Sequence, residues 1–331
     1  MRAHPLCNFL LILASAVAFG AAGTLSVEIT EFDVPTAHAR PHDPAVGPHG
    51  TLWTTEQGAN KLGELDPGTG EFREYPLKTP DSGPHGLVAD RDGNIWFTAI
   101  SAGYIGKLDP KTGKVTEYRP SAGREIDPHT PVFDQNEILW FTNEESSLIG
   151  RLDPKTGEMK LQATPTKNAV PYGIVVTAKG VPFFCEFHTN KLASIDPQSM
   201  AIREYPLPEA GARPRRLALA PDGSIYFSDY AQGKLGHFDP ASGKVEEWDS
   251  PGGAKSEPYG IATTSDGMVW YSESGVTPNT LVRFDPKTKS FATENIPSGG
   301  GVVRNMAVTQ DGRIFLACSG VNKVAVVRTS Q

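Results

Sequence analysis

An aromatic residue in a β-prone setting returns along this chain at Trp53, Trp96, Trp140, Phe183, Tyr226, Trp270 and Phe315, at intervals of 43, 44, 43, 43, 44 and 45 residues. A period of that length is the spacing of a propeller blade. Within one period, Gly86 to Ala89 and Ile95 to Thr98 are two short strands joined by the Asp92-Gly93 turn. Tyr104 to Leu108 and Lys114 to Tyr118 are two more, joined by Asp109-Pro110-Lys111-Thr112-Gly113. Proline presets φ and glycine supplies positive φ at such turns. No stretch keeps a helical period, so the unit is a four-stranded antiparallel meander. The Asp-Pro turn recurs at Asp66, Asp109, Asp153, Asp196, Asp239 and Asp285. A single such sheet cannot bury both faces, whereas seven packed around an axis can.

The two chain ends predict how the ring closes. The last repeat has three strands, Asn305 to Val308, Arg313 to Ala317 and Lys323 to Val327, and then the chain stops. Val27 to Val34 carries a Thr-Glu-Phe that resembles the fourth-strand Thr-Glu-Tyr at Thr116 to Tyr118, and supplies the missing strand. Pairing first with last removes the open edge. The expected fold is all-β, a seven-bladed β-propeller of four-stranded antiparallel blades closed by an N-terminal strand. It forms one domain over residues 24–331.

Residues 1–23 have the layout of a secretory signal peptide: Arg2 near the start, an apolar run from Phe9 to Phe19, then Ala21-Ala22-Gly23. The run is too short to span a bilayer. Export to the periplasm or the outside follows for a bacterial source. Loss of Arg2 takes the formal charge from −7 to −8. That acidity, without any Lys/Arg run, argues against nucleic acid and anionic membrane partners, and the mature chain is expected to be a monomer. Cys185 and Cys318 fall in the fourth and seventh repeats, too far apart for a disulfide, and are expected to be small buried hydrophobes.

Strand alternation places the loops entering first strands and leaving second strands on one face, where seven blades converge on a channel mouth. Eleven residues before each repeat aromatic stand His42, His85, His129, Tyr172, Arg215, Tyr259 and Arg304, and six of these follow a proline. Three residues after it stand Glu56, Ala99, Asn143, Glu186, Asp229, Glu273 and Cys318. Both rings are expected at the mouth, in contact with a small-molecule, cyclic peptide or ester ligand. Three consecutive histidines are notable, because imidazole titrates near neutrality and serves as a general base. Asp127 and Glu144 flank His129 and are the oxygen donors that a hard divalent cation would take.

The units Arg40-Pro41-His42, Gly83-Pro84-His85-Gly86, Ile95-Trp96-Phe97-Thr98, Gly58-Ala59-Asn60-Lys61-Leu62-Gly63 and Leu148-Ile149-Gly150-Arg151-Leu152 resemble those of the virginiamycin B lyase, or streptogramin lyase, family over about residues 28–328. The resemblance implies a carbon–oxygen lyase that opens a cyclic depsipeptide at its ester by metal-assisted elimination, with Mg²⁺ as cofactor (Ca²⁺ as the alternative). It implies a substrate-contacting His on the sixth blade, a base His on the seventh, and two acids there for the metal. At those places this sequence has Tyr259, Arg304, Val302 and Cys318. Read from other blades, the same constellation recurs as His85 for substrate contact, His129 as base, and Asp127 and Glu144 as metal ligands. Glu257-Pro258-Tyr259 with Glu273 is a further variant. His42, Tyr172, Arg215, Tyr259 and Arg304 then complete the substrate-binding ring. Two other classes fit the same mouth. One is a gluconolactonase-type lactonase with its metal on Glu56, Asn143 and Asp229; the other is a non-catalytic binding propeller.

Overall fold

The computed structural model describes residues 22–121 and 125–329, so residues 1–21 of the expected signal peptide lie outside the described residues. Seven antiparallel sheets form the ring. Blade one runs from Pro41–Val46 through Leu52–Glu56 and Lys61–Leu65 to Phe72–Pro76 in simple meander order. The first strands of the others are Pro84–Ala89, Pro128–Phe133, Pro171–Val176, Pro214–Leu219, Pro258–Thr263 and Val303–Val308. Each packs beside the first strands of its neighbours and lines the axis. Closure is as expected: Val27–Asp33 pairs antiparallel with Lys323–Thr329, from Val27 opposite Thr329 to Asp33 opposite Lys323. Ahead of it, Gly23–Thr24 adds a short parallel bridge to the outer edge of blade six.

The repeat aromatics fill the space between blades. Trp53 stacks on the fourth-strand Tyr75, and Trp96 on Tyr118, each pair with centroids 5.1 Å apart. The Trp96 indole N–H is satisfied by Asp90 Oδ2 at 2.8 Å, so burying it leaves no orphan donor. On the third strands, a Cβ on Gly106 or Gly150 would meet the Phe97 or Phe141 ring at 2.1 or 2.0 Å. Glycine there is what lets a second-strand phenylalanine lie flat across its neighbour. Cys185 and Cys318 are buried free thiols.

The first strands begin earlier than the alternation pattern suggests, at the proline itself. The cause is a β-bulge. Pro41 faces Glu56 and Pro44 faces Thr54, so His42 and Asp43 share one partner, Thr55. The same irregularity occurs in all seven first strands. Two residues opposing one leave a gap in the ladder and re-aim the side chains there.

Candidate functional site at the channel mouth

The bulge builds the site. It deprives one backbone N–H of its ladder partner, and a second-strand hydroxyl fills the gap. Thr55 Oγ1 accepts from Asp43 N–H at 3.1 Å and donates to the His85 carbonyl of the next blade at 2.7 Å. Thr98, Thr142, Ser228 and Ser272 bridge the same way. In blade four the bridging atom is sulfur: Cys185 Sγ lies between Gly173 N–H and the Arg215 carbonyl. Cys185 is therefore buried as expected, but as a polar bridge rather than a hydrophobe. Blade seven has Ala317 in that place, and Ser319 Oγ reaches the Pro41 carbonyl instead.

Two rings of side chains result. The upper ring is the one foreseen. His42, His85 and His129 pack in sequence, with centroids 3.8 and 3.9 Å apart, and Tyr172 continues the row at 3.9 Å from His129. The Tyr172 and Tyr259 hydroxyls hydrogen-bond each other. Arg215 lies against the rings of Tyr259, Tyr230, Phe187 and Tyr172, at 3.8, 4.4, 4.6 and 5.0 Å from their centroids. The lower ring is the next residue in each blade: Asp43, Gly86, Thr130, Gly173, Arg216, Gly260 and Asn305. Polar residues alternate with glycine, and the glycines leave room for Arg216 to reach across the axis. Its Nη2 meets Asp43 Oδ1 at 2.9 Å and its Nη1 donates to Thr130 Oγ1 at 3.0 Å, while Asn305 Nδ2 donates to Asp43 Oδ2 at 3.0 Å. Arg216 and Asp43 are 2 % and 1 % exposed. This network floors a mouth cavity of about 550 Å³ and separates it from a vestibule of about 330 Å³ on the opposite side.

Protonation follows from these bonds. A carboxylate only accepts, so His42 Nδ1, 2.9 Å from Asp43 Oδ1, carries the proton and Nε2 keeps the lone pair. His129 has a hydroxyl rather than a carboxylate beside Nδ1. Thr130 Oγ1, which accepts from Arg216, lies 2.7 Å from His129 Nδ1, and His129 Nε2 is 3.8 Å from Glu144 Oε2. All three imidazoles are held well below their ordinary value, first by burial. For His42 the guanidiniums of Arg304 and Arg216 add to that effect. Burial and neighbouring Glu145 push the Glu144 carboxyl up.

His42, His85, Glu144, Tyr172, Arg215 and Arg304 line the mouth cavity, together with Arg40. His129 is fully buried behind His85 and Tyr172. Tyr259 is buried beneath Arg215. Asp127 is occupied by its own blade: its carboxylate accepts the N–H groups of Glu145 and Ser146 and the Ser146 hydroxyl, fastening the loop that carries Glu144. Glu56, Asn143 and Asp229, expected at the mouth, lie inside their blades. They stand directly opposite the first-strand prolines, are buried, and do not line the mouth cavity. Asn143 donates to the Leu148 carbonyl, Asp229 accepts from Arg213 N–H, and Glu56 sits over Gly63 near Glu74.

The virginiamycin B lyase family profile matches residues 15–283. The chain belongs to that family. A streptogramin B lyase structure superimposes with a TM-score of 0.83 at 25% identity, over 92% of this chain and 98% of that one. Virginiamycin B lyase from Staphylococcus aureus gives 0.84 at 22% identity, over 92% and 100%. A catalytically inactive variant of the Staphylococcus aureus enzyme with quinupristin gives 0.82 at 22% over the same shares. No curated protein matches the chain.

The metal implied by the family resemblance fits these residues poorly. On blade seven, Val302 offers no donor, Arg304 brings a positive charge, and burial pushes the Cys318 thiol up to about 12. Among the described residues, His42, Asp43 and His85 are the group whose donor atoms gather within 4.8 Å. Arg216 already occupies the Asp43 oxygen there, and a second cation beside it would be repelled. Asp127 is spent on its loop, which leaves Glu144 as a lone oxygen donor.

Proposed function

We propose that the mouth carries out a carbon–oxygen elimination on a small cyclic ester or depsipeptide, with His42 as base and arginine in the electrophilic role. The observation that carries this reading is the Asp43–His42 pair. Asp43 holds the imidazole in one tautomer and orientation, as carboxylates do for catalytic histidines, and the lone pair on Nε2 belongs to a cavity-lining, neutral ring. His42 takes the proton from the carbon beside a carbonyl. The electron pair becomes the new carbon–carbon double bond, the β carbon–oxygen bond breaks, and the ester oxygen leaves as a carboxylate. Arg304, which faces His42 closely enough to depress its basicity, stabilises the enolate oxygen as charge develops. His85 and His129 back the base by packing.

A synthetic cyclic depsipeptide closed by a threonyl ester, incubated in ¹⁸O-water, tests the reaction. Elimination gives a dehydroamino acid without label, whereas label in the product, or no turnover at all, overturns the proposal. We also read the chain as exported, on Arg2 and the apolar run after it; secreted material whose N-terminus lies near Gly23 is the expected result.

A further inference from the structure

We infer that the mouth is an anion site built from arginine, and that the ligand it takes carries a carboxylate. The inference rests on the mouth being the ligand site, and not on the elimination. Arg40, Arg215 and Arg304 line the cavity, and no lysine does among the described residues. Among the described residues, five other arginines (Arg73, Arg91, Arg119, Arg216 and Arg313) are paired with carboxylates, and five (Arg151, Arg203, Arg213, Arg283 and Arg328) are not. Among the described residues no such pair includes Arg40, Arg215 or Arg304. Against them the cavity sets Asp81, which is exposed at its edge as Arg40 is, and Glu144, whose carboxyl is pushed up. A cationic mouth in a chain of formal charge −7 is a local choice of sign.

The guanidiniums are also poised for a fork-shaped partner. Aromatic rings cover Arg215, and Tyr172 Oη accepts one of its N–H groups at 3.3 Å, so the remaining edge is left for a ligand. The Nε atoms of Arg215 and Arg304 are buried without a hydrogen-bond partner. A half-buried guanidinium with no carboxylate beside it is stabilised when an anion reaches its open edge. Planar forks without lysine match a carboxylate, which accepts two parallel N–H groups. A cavity of about 550 Å³ suits a metabolite-sized molecule.

Calorimetry with glucuronate, citrate, inorganic phosphate and the neutral glucuronamide tests this on the full mature chain. At least one carboxylate is expected to bind, glucuronamide is not, and affinity is expected to fall as salt rises. Arg304→Leu is expected to lose about 10- to 100-fold in carboxylate affinity, the usual effect of removing a charged hydrogen bond, with an unchanged circular dichroism spectrum. Arg73→Leu, at an exposed arginine outside the mouth, is expected to keep that affinity. Equal binding of glucuronamide, tighter binding of phosphate than of every carboxylate, or full affinity in Arg304→Leu overturns the inference. Turnover of a neutral cyclic ester with no carboxylate binding would also overturn it, leaving the elimination standing; carboxylate binding without ester turnover does the reverse.

Discussion

Arg216 and Asp43 stand 173 residues apart in sequence and 2.9 Å apart at the propeller axis, joining blades five and one beneath the mouth. Both are buried, so removing one partner leaves the other charged and uncompensated. Asp43→Ala is expected to lose about 3–5 kcal/mol of stability in denaturant titration. Replacing both, as in Asp43→Asn with Arg216→Met, is expected to cost less than Asp43→Ala alone. A loss under about 1 kcal/mol for Asp43→Ala would show that the pair does not hold the floor of the channel.

The hydroxyl bridges between blades make a second test. Thr142 Oγ1 satisfies Thr130 N–H at 3.2 Å and the Tyr172 carbonyl at 2.7 Å. Thr142→Ala orphans both, at a cost of about 1–3 kcal/mol. Cys185 makes the same bridge with sulfur, so Cys185→Ser should fold with near-normal stability while Cys185→Ala weakens the protein. Equal stability of those two variants would mean that the thiol acts only as filler.

Much of this was legible in the sequence because a propeller repeats. The period located every aromatic, and constant offsets located His42, His85, Tyr172, Arg215 and Arg304 at one structural level. The lower ring was missed, although its alternation of polar residues with Gly86, Gly173 and Gly260 is written in the chain. The bulge is the reason: strict two-residue alternation turns the residue after His42 away from the axis, and the extra residue turns it back. Glu56, Asn143 and Asp229 miss the mouth for another reason, since their second strands pair regularly with the third. A constant offset fixes level along the strand, but facing depends on register. Side-chain partnership was beyond reach too. Nothing in the order of residues says that Asp127 spends its carboxylate on the Glu145 and Ser146 amides.

Buried carboxyls give the stability a pH dependence with a definite sign. Burial, aided by Glu74, pushes Glu56 up to about 8, and burial with Glu204 pushes Glu186 to about 7. A carboxyl whose folded value is raised is protonated in the fold while already ionised in the unfolded chain. Its contribution is full below about pH 4.5 and is lost as pH rises toward 8. Glu56→Gln removes that loss. The variant is expected to match the parent melting temperature at pH 5 and to exceed it by a few degrees at pH 9. A difference of the same size at both pH values would place Glu56 in an environment that does not favour the proton.

Divalent cations are expected to leave the fold alone. Anything that binds only the native state raises its melting temperature, but the oxygen donors near the mouth are spent, as in Asp127, beside a guanidinium, as in Asp43, or single, as in Glu144. Mg²⁺, Mn²⁺ and Ca²⁺ at millimolar concentration should therefore shift the melting temperature by less than about 1 °C. A stoichiometric metal in the purified protein would refute this.

The assignment of the base is decided by the pH–rate profile. Reaction through His42 requires its neutral form, and burial together with Arg304 and Arg216 holds the ring neutral to well below 6.5. The value of kcat/KM on the cyclic ester should accordingly be level from pH 6.5 upward and fall only in more acidic solution, with the acid limb reporting the free enzyme's base. His42→Asn should lower kcat/KM by about 10²–10⁴-fold, the usual contribution of a positioned base. His129→Asn should act differently, since that ring is fully buried and walled off from the cavity by His85 and Tyr172. It is expected to reduce the rate by less than about tenfold while keeping the acid limb in place. Arg304→Leu supplies the third arm: with that guanidinium gone, His42 loses the largest charge opposing its protonation, and the limb should move toward neutral pH. An acid limb centred at or above 6.5 in the parent, a larger loss in His129→Asn than in His42→Asn, or a limb that ignores Arg304→Leu would each remove His42 from the role of base.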